Sequence, residues 1–279
     1  MRDGNILRVI TPRVGTAPYL KNTSTGQLSG WPLAFAHRGF SPSGAENTMA
    51  AFAAAVELGF GYLETDVRTS ADGVLVVFHD ETVDRVTDGT GKVSDLSLEQ
   101  LRTLRVAGRE QIPTFDELLS AWPDIRLNVD AKDECSATLL ARAIERHGAH
   151  DRVLVASFDE ARSRFALAAM GRPVAWSSGS ATAALAVALG ALGLHRLIRS
   201  RLSRTTALQV PVRQGPFRVI TPGFIRRAHA AGVQVHAWVI DDQQQMRELL
   251  EMGVDGLMSD RADLLAAVMA ERGTWPQRN

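Results

Sequence analysis

The chain has one cysteine, Cys135, in 279 residues. No disulfide can form within it, so neither a disulfide-stapled secreted scaffold nor a cysteine-rich zinc site is open to it. An excess of charge is missing as well: lysine plus arginine and aspartate plus glutamate both number 31. Without a positive excess there is no global field to draw the chain to nucleic acid or to an anionic lipid surface, and no nucleic-acid partner is expected. Long apolar runs are also lacking. The longest, residues 183–194, is rich in alanine and glycine and falls well short of the roughly 20 residues that cross a bilayer. Residues 1–20 contain no apolar signal core and carry Arg2, Asp3, Arg8 and Arg13, so the expectation is a cytoplasmic protein with no transmembrane segment.

What is present is enough apolar material for a core, since 45% of residues are hydrophobic and 22% charged. Residues 1–30 mix Pro, Gly, Thr and Ser and read as an extended lead-in. From residue 31 to about 272, short β-rich runs alternate with longer helical patterns. The predicted strands are 33–37, 62–68, 74–79, 126–132, 152–157, 173–177, 207–210, 233–240 and 256–259. The predicted helices are 47–58, 134–147, 159–170, 181–200, 222–231, 242–252 and 261–271. This alternation implies a parallel sheet clad in helices, doubly wound or closed. Nine strands is one too many for a closed ring of eight. However, only residues 69–73 separate the second run from the third, a link of hairpin length where parallel neighbours need a dozen residues or more. Residues 74–79 are therefore a return or a strongly bent continuation. Eight parallel strands remain, and the expected fold is an α/β (β/α)8 barrel. Residues 80–113, weakly periodic and rich in Asp, Thr, Gly and Ser, read as an insertion after the His79 segment.

In such a barrel the chemistry lies at the C-terminal strand ends, and polar residues gather there. His37-Arg38-Gly39 ends the first strand, and Glu64 and Asp66 end the second. His79-Asp80 closes the return run, Asp130 and Lys132 end the next strand, and His236 and Trp238 lie on a late one. Positions i and i+2 of a strand share a face, so Glu64 aligns with Asp66 and Asp130 with Lys132. Three carboxylates from two strands suit a hard divalent cation, Mg2+ or Ca2+. Two histidines at neighbouring strand ends can serve as general acid and base near neutral pH. Arg38 and Lys132 supply fixed positive charge of the kind that a phosphoryl group needs.

The remaining histidines invite plainer readings. His147, His150, His195 and His229 fall in helices or loops without a partner motif, and His236 lies on a strand without one. Residues 88–92 invite a phosphate-loop reading that fails, because the positions that would be the first glycine and the hydroxyl residue are Val86 and Val93. No glycine fingerprint for a dinucleotide follows any strand.

The ordered motifs between residues 36 and 263 resemble the glycerophosphodiester phosphodiesterase family. They are a His-Arg-Gly start at 37–39, Glu46-Asn47-Thr48, Glu64 and Asp66 on one strand, His79-Asp80 before a Thr/Gly-rich insertion, Asp130 with Lys132, and Trp238. The resemblance implies a TIM-barrel enzyme, dependent on a divalent cation, that hydrolyses small glycerophosphodiesters to glycerol 3-phosphate and an alcohol. It makes His37 and His79 the catalytic pair; of the two, His37 is expected to serve as base and His79 as acid. It makes Glu64 and Asp66 metal ligands, with Asp130 as the third where the family commonly has Glu. Arg38, Lys132, Glu46, Asn47 and Trp238 match substrate-binding positions. After Trp238 the sequence departs from the family pattern, and Ser259 stands where Thr is usual. Two alternatives remain: a phospholipase D-like enzyme acting on lysophospholipid or sphingolipid, and a non-catalytic phosphate-binding barrel. Residues 181–204, apolar and then basic, would give the first a weak lipid contact.

Overall fold

The computed structural model describes residues 17–20, 32–191, 197, 202 and 205–277. Its helices begin where the sequence supplies caps. Thr48 opens α1 (Met49–Glu57), Ser97 opens α2 (Leu98–Thr103), Thr114 opens α3 (Phe115–Ala121), Asp133 opens α4 (Glu134–Arg146) and Asp159 opens α5 (Glu160–Ala168). After α6 (Ser180–Ala191), Thr221 opens α7 (Pro222–Ala230), Asp242 opens α8 (Gln243–Met252), and α9 (Ala262–Glu271) ends the series. Each capping oxygen accepts a first-turn N–H that has no partner inside its helix. Gly148 and Gly253 follow α4 and α8 in the left-handed region that ends a helix.

The strands are β1 (Leu33–His37), β2 (Tyr62–Thr69), β3 (Leu75–Val77), β4 (Arg126–Ala131), β5 (Val153–Ala156), β6 (Ala175–Trp176), β7 (Ala207–Val210), β8 (Arg213–Gln214), β9 (Phe217–Arg218), β10 (Gln234–Ala237) and β11 (Gly256–Ser259). Eight of them run parallel in the order β6-β5-β4-β2-β1-β11-β10-β7. A parallel bridge between Ser177 and Ala207, with the Thr206 N–H donating to the Trp176 carbonyl at 2.9 Å, nearly closes the ring. The expected (β/α)8 barrel is the observed fold. The surplus strand is a return: β3 pairs antiparallel with β2, and β8 and β9 form a small hairpin of their own. No helix among the described residues is long and apolar enough to cross a membrane.

The main core lies between the sheet and its helices, where Phe52, Leu140 and Leu265 cover Ala34, Leu63 and Val129. A second cluster fills the barrel interior around Phe35, Tyr62 and Met258, and Tyr19 belongs to it. Fully buried Tyr19 closes the end opposite the predicted site, with its carbonyl accepting from the Tyr62 hydroxyl at 3.0 Å. Residues 80–113 carry a third small core of Val83, Val93, Leu101, Val106 and Ile112 against Val76 and Phe78. Two helices had no counterpart in the sequence reading, α2 and α3. They have six and seven residues, too few turns for a 3.6-residue period to stand out.

Candidate active site

Neighbouring strands place the predicted residues side by side at one end of the barrel. His37 pairs with Glu64 across β1 and β2, and Asp66 pairs with Asp130 across β2 and β4. All three carboxylates are buried. The β2–β3 hairpin explains how His79 joins them. Val77 returns opposite Val67, the Phe78 N–H donates to the Asp66 carbonyl at 3.0 Å, and the Arg68 Nε donates to the His79 carbonyl at 2.8 Å. His79 therefore stands over the strand end that carries Asp66.

The turn after β1 is tight and strained. Arg38 and Asn47 have φ of 56° and 57°, uncommon for residues with side chains and typical of places where function fixes the backbone. Hydrogen bonds hold both: the Arg38 N–H donates to the Glu64 carbonyl at 3.0 Å, and the Asn47 N–H donates to the Arg38 carbonyl at 2.9 Å. Gly39 follows at φ 85°, where a Cβ would stand 2.6 Å from the backbone carbon of Ala51. Only glycine lets the turn approach α1 this closely.

Charges alternate through the site. The Lys132 Nζ lies 2.8 Å from Asp66 Oδ1 and 2.7 Å from Asp130 Oδ2, and the Arg38 Nε lies 3.2 Å from Asp66 Oδ2. The Asn47 Nδ2 also donates to Asp66 Oδ2, at 2.9 Å. Burial opposes ionisation of Asp66, yet Lys132 and Arg38 outweigh it and hold this carboxyl below its ordinary range. Glu64 goes the other way, pushed up by burial and by the charge of Asp66. Asp130 is raised too, chiefly by burial. Burial likewise opposes the charge on Lys132, but Asp66 and Asp130 keep it cationic.

Each predicted catalytic histidine is braced by an aspartate. Nδ1 of His37 is 2.6 Å from Asp260 Oδ1, and Nδ1 of His79 is 2.5 Å from Asp80 Oδ1. An ionised carboxylate only accepts, so in both rings Nδ1 donates and Nε2 is left to exchange a proton. The two rings are tuned oppositely. Burial lowers the His37 pKa, but Glu64, whose Oε2 is 3.6 Å from His37 Nε2, and Asp260 outweigh it, so the net shift is upward. For His79 burial prevails and the shift is downward.

Above these groups opens a cavity of about 730 Å³. His37, His79, Arg38, Lys132 and the three carboxylates form its polar wall; Phe158, Phe217 and Trp238 stand on an apolar one. Trp238 packs edge-on against Phe158 with ring centroids 5.7 Å apart. Glu46 and Asn47 stand behind the wall. Glu46 accepts from Arg38 Nη1 at 2.8 Å, and Asn47 steadies Asp66. His236 is buried against Gln234 Oε1 at 2.6 Å, and burial lowers its pKa to about 3, so it is a neutral structural residue. His147, His150 and His229 pair with Asp116, Glu145 and Asp255 away from the cavity. His195, Arg196, Arg199, Arg201 and Arg204, the basic part of the expected lipid contact, lie outside the described residues.

Two residues of this network, Asp260 and Arg85, were missed by sequence reasoning. Arg85 Nε donates to Asp80 Oδ2 at 2.5 Å, and its Nη2 donates to Glu46 Oε1 at 2.6 Å. The only signals were an aspartate just past the last strand and an arginine just past a His-Asp pair.

The donor set fits a hard divalent cation. Glu64 faces His37 and Arg38, and Asp66 faces Arg38, Lys132 and Asn47. Asp130 faces Lys132 through one oxygen, while its Oδ1 is buried with no hydrogen-bond partner among the described residues. Glu64 and Asp130 stay raised by burial although Lys132 stands beside Asp130 and Arg38 beside Glu64, so a further cation among their oxygens would offset charge that these neighbours leave uncompensated. Among the described residues no three His, Cys, Asp or Glu side chains form a ready metal shell; Lys132 and Arg38 hold the oxygens of Asp66 instead.

Comparison with known proteins bears on this geometry. A model of the glycerophosphoryl diester phosphodiesterase family matches residues 37–264. Probable glycerophosphodiester phosphodiesterase 2 of Mycobacterium tuberculosis is 40% identical over 247 residues, covering 88% of this chain and 94% of that protein. The crystal structure of a glycerophosphodiester phosphodiesterase from Agrobacterium tumefaciens matches with a TM-score of 0.69 and 28% identity, over 84% of this chain and 98% of the other. An Oleispira antarctica phosphodiesterase, solved with its product sn-glycerol 3-phosphate, matches with a TM-score of 0.71 and 24% identity, over 87% and 98% of the two chains.

Proposed function

The chain belongs to the glycerophosphoryl diester phosphodiesterase family and is a phosphoric diester hydrolase, and on that premise we propose that it cleaves glycerophosphodiesters to glycerol 3-phosphate and an alcohol, with His37 and His79 moving the protons. The observation that carries this reading is the pair of aspartate-braced imidazoles facing one cavity beside Arg38 and Lys132. The product held by the Oleispira antarctica relative, sn-glycerol 3-phosphate, is in keeping with it.

Glu64, Asp66 and Asp130 are the residues to hold Mg2+ or Ca2+. Bound there, the cation would supply positive charge against the phosphoryl oxygens. Arg38 and Lys132 orient the phosphoryl group and balance the charge that builds on it. His37 accepts a proton from the attacking hydroxyl as the new P–O bond forms. That hydroxyl belongs to water or to the glycerol 2-OH; in the second case water opens the resulting cyclic phosphate in a second step to give glycerol 3-phosphate. His79, doubly protonated when it acts as the acid, keeps its Nδ1 proton in the hydrogen bond to Asp80 and gives the Nε2 proton to the departing alkoxide as its P–O bond breaks. The upward pull on His37 comes from Glu64 and Asp260; were Glu64 to share its charge with a bound cation, that pull would weaken and the His37 Nε2 lone pair would be the more available. His79, lowered by burial, gives up its proton more readily than an imidazolium in water.

A second reading has its own observation. Phe158 and Phe217 are 58% and 74% exposed and both line the cavity, more apolar surface than a small polar diester covers. This favours a lysophospholipid as an additional substrate. The test of both readings uses glycerophosphocholine and its 1-octanoyl ester below micelle concentration. Release of glycerol 3-phosphate and choline from the first is expected; phosphocholine with free glycerol would contradict the proposed bond cleavage. A higher kcat/KM for choline release from the octanoyl ester supports the second reading, and a lower one removes it.

A further inference from the structure

We infer that Arg85, which does not line the cavity, is a positioning residue that holds the proton-transfer group His79 and the phosphate-binding group Arg38 in register through one guanidinium. The inference rests on the roles proposed above for His79 and Arg38.

The contacts form an unbroken line of alternating charge. His79 Nδ1 meets Asp80 Oδ1, and Asp80 accepts from Arg85 through both oxygens, at 2.5 Å from Nε and 3.2 Å from Nη2. The far side of the same guanidinium takes Glu46, with Nη2 at 2.6 Å from Oε1 and Nη1 at 3.1 Å from Oε2. Glu46 Oε1 in turn holds Arg38 Nη1 at 2.8 Å, and Arg38 Nε faces Asp66. Arg85 thus makes four hydrogen bonds to two carboxylates, one behind each functional group. A planar fork of fixed geometry can do this; an ammonium, with one point of charge, cannot hold both carboxylates in the same planes.

The energetic logic is local. Asp80 is only partly buried, and its pKa falls to about 2 chiefly through the hydrogen bond from Arg85. Freed of Arg85, the carboxylate is at liberty to turn to water, and no other hydrogen bond among the described residues then fixes Nδ1 of His79 as the donor nitrogen. The tautomer that leaves Nε2 facing the cavity is lost for part of the population. Glu46, freed likewise, no longer steadies Arg38. Arg85 also connects the 80–113 segment to the β1–α1 turn, so a purely structural tie is the rival explanation and must be separated by the readout.

The test compares Arg85→Met, Asp80→Asn and His79→Ala on two diesters of glycerol 3-phosphate: choline, a poor leaving group, and p-nitrophenol, which leaves without protonation. His79→Ala should penalise the choline ester far more than the aryl ester. Arg85→Met and Asp80→Asn should reproduce that selectivity in weaker form, with kcat for the choline ester down by roughly 10–100-fold and the aryl ester within about threefold. A structural tie instead lowers both esters alike, together with the melting temperature, and that result overturns the inference. A second arm is independent of which role His79 plays. The 15N resonances of its ring should show Nδ1 protonated in the wild type at neutral pH and mixed tautomers in Arg85→Met. An unchanged tautomer also overturns it. If His79→Ala itself shows no leaving-group selectivity, the role of His79 as acid falls, and the 15N arm alone decides for Arg85.

Discussion

Alanine at His79 or at His37 lowers kcat for glycerophosphocholine by about 10²–10⁴-fold, the range over which a positioned general acid or base contributes. The melting temperature should move little, because both rings border the cavity rather than filling the core, and neither belongs to an apolar cluster. The double variant should fall well short of the product of the two single losses, because once one proton transfer is gone the other no longer limits the rate. Steady-state kinetics beside thermal unfolding checks this. Two single variants within a few-fold of wild type on an alkyl diester would remove the proton-transfer pair from the account.

The second large effect is on stability, and its sign follows from the carboxylates. Glu64 and Asp130 have folded-state pKa values above their ordinary ones, chiefly through burial. A carboxyl raised on folding contributes stability below its ordinary pKa, and that contribution is lost as pH rises through the folded value. For these two the loss begins at the ordinary values of 4.5 and 3.8 and runs upward to the raised ones. Asp66 is lowered, so it stabilises the fold above its ordinary pKa and ceases to only in acid. A cation bound by the three would add to the positive charge of Lys132 and Arg38 and compete with protons for Glu64 and Asp130. Mg2+ or Ca2+ should therefore raise the melting temperature more at about pH 8 than at about pH 5. At a free concentration of a hundred dissociation constants the gain is about 2.7 kcal/mol, which for a chain of this size is a rise of roughly 5 °C. Differential scanning fluorimetry at the two pH values reads it. An equal shift at both would mean that ions bind elsewhere, and Asp66→Asn should abolish the pH-dependent part.

How much of this was written in the sequence depends on the distance over which each feature is encoded. The alternation of β2 and β4 made Glu64, Asp66 and Asp130 legible as inward pairs, because strand periodicity is local. The hairpin that turns β3 back was legible from link length alone. Its consequence, His79 standing over Asp66, needed the register of Val67 against Val77. Asp260 lies 223 positions from His37, and only ring closure between β11 and β1 brings them together. Arg85 is near His79 in sequence, but its second carboxylate, Glu46, is 39 positions away on another loop. Glu46 and Asn47 show the same limit: their motif marked them as belonging to the site, and the fold puts Glu46 behind Arg38 and Asn47 behind Asp66.

The most direct measurement is glycerol 3-phosphate release from glycerophosphocholine by protein stripped of metal, first in EDTA and then with Mg2+ or Ca2+ restored. Negligible release in EDTA, recovery with added cation, and no recovery in Asp66→Asn are the expected results. Full turnover by protein shown to be metal-free, or recovery undiminished in Asp66→Asn, would contradict the assignment of Glu64, Asp66 and Asp130.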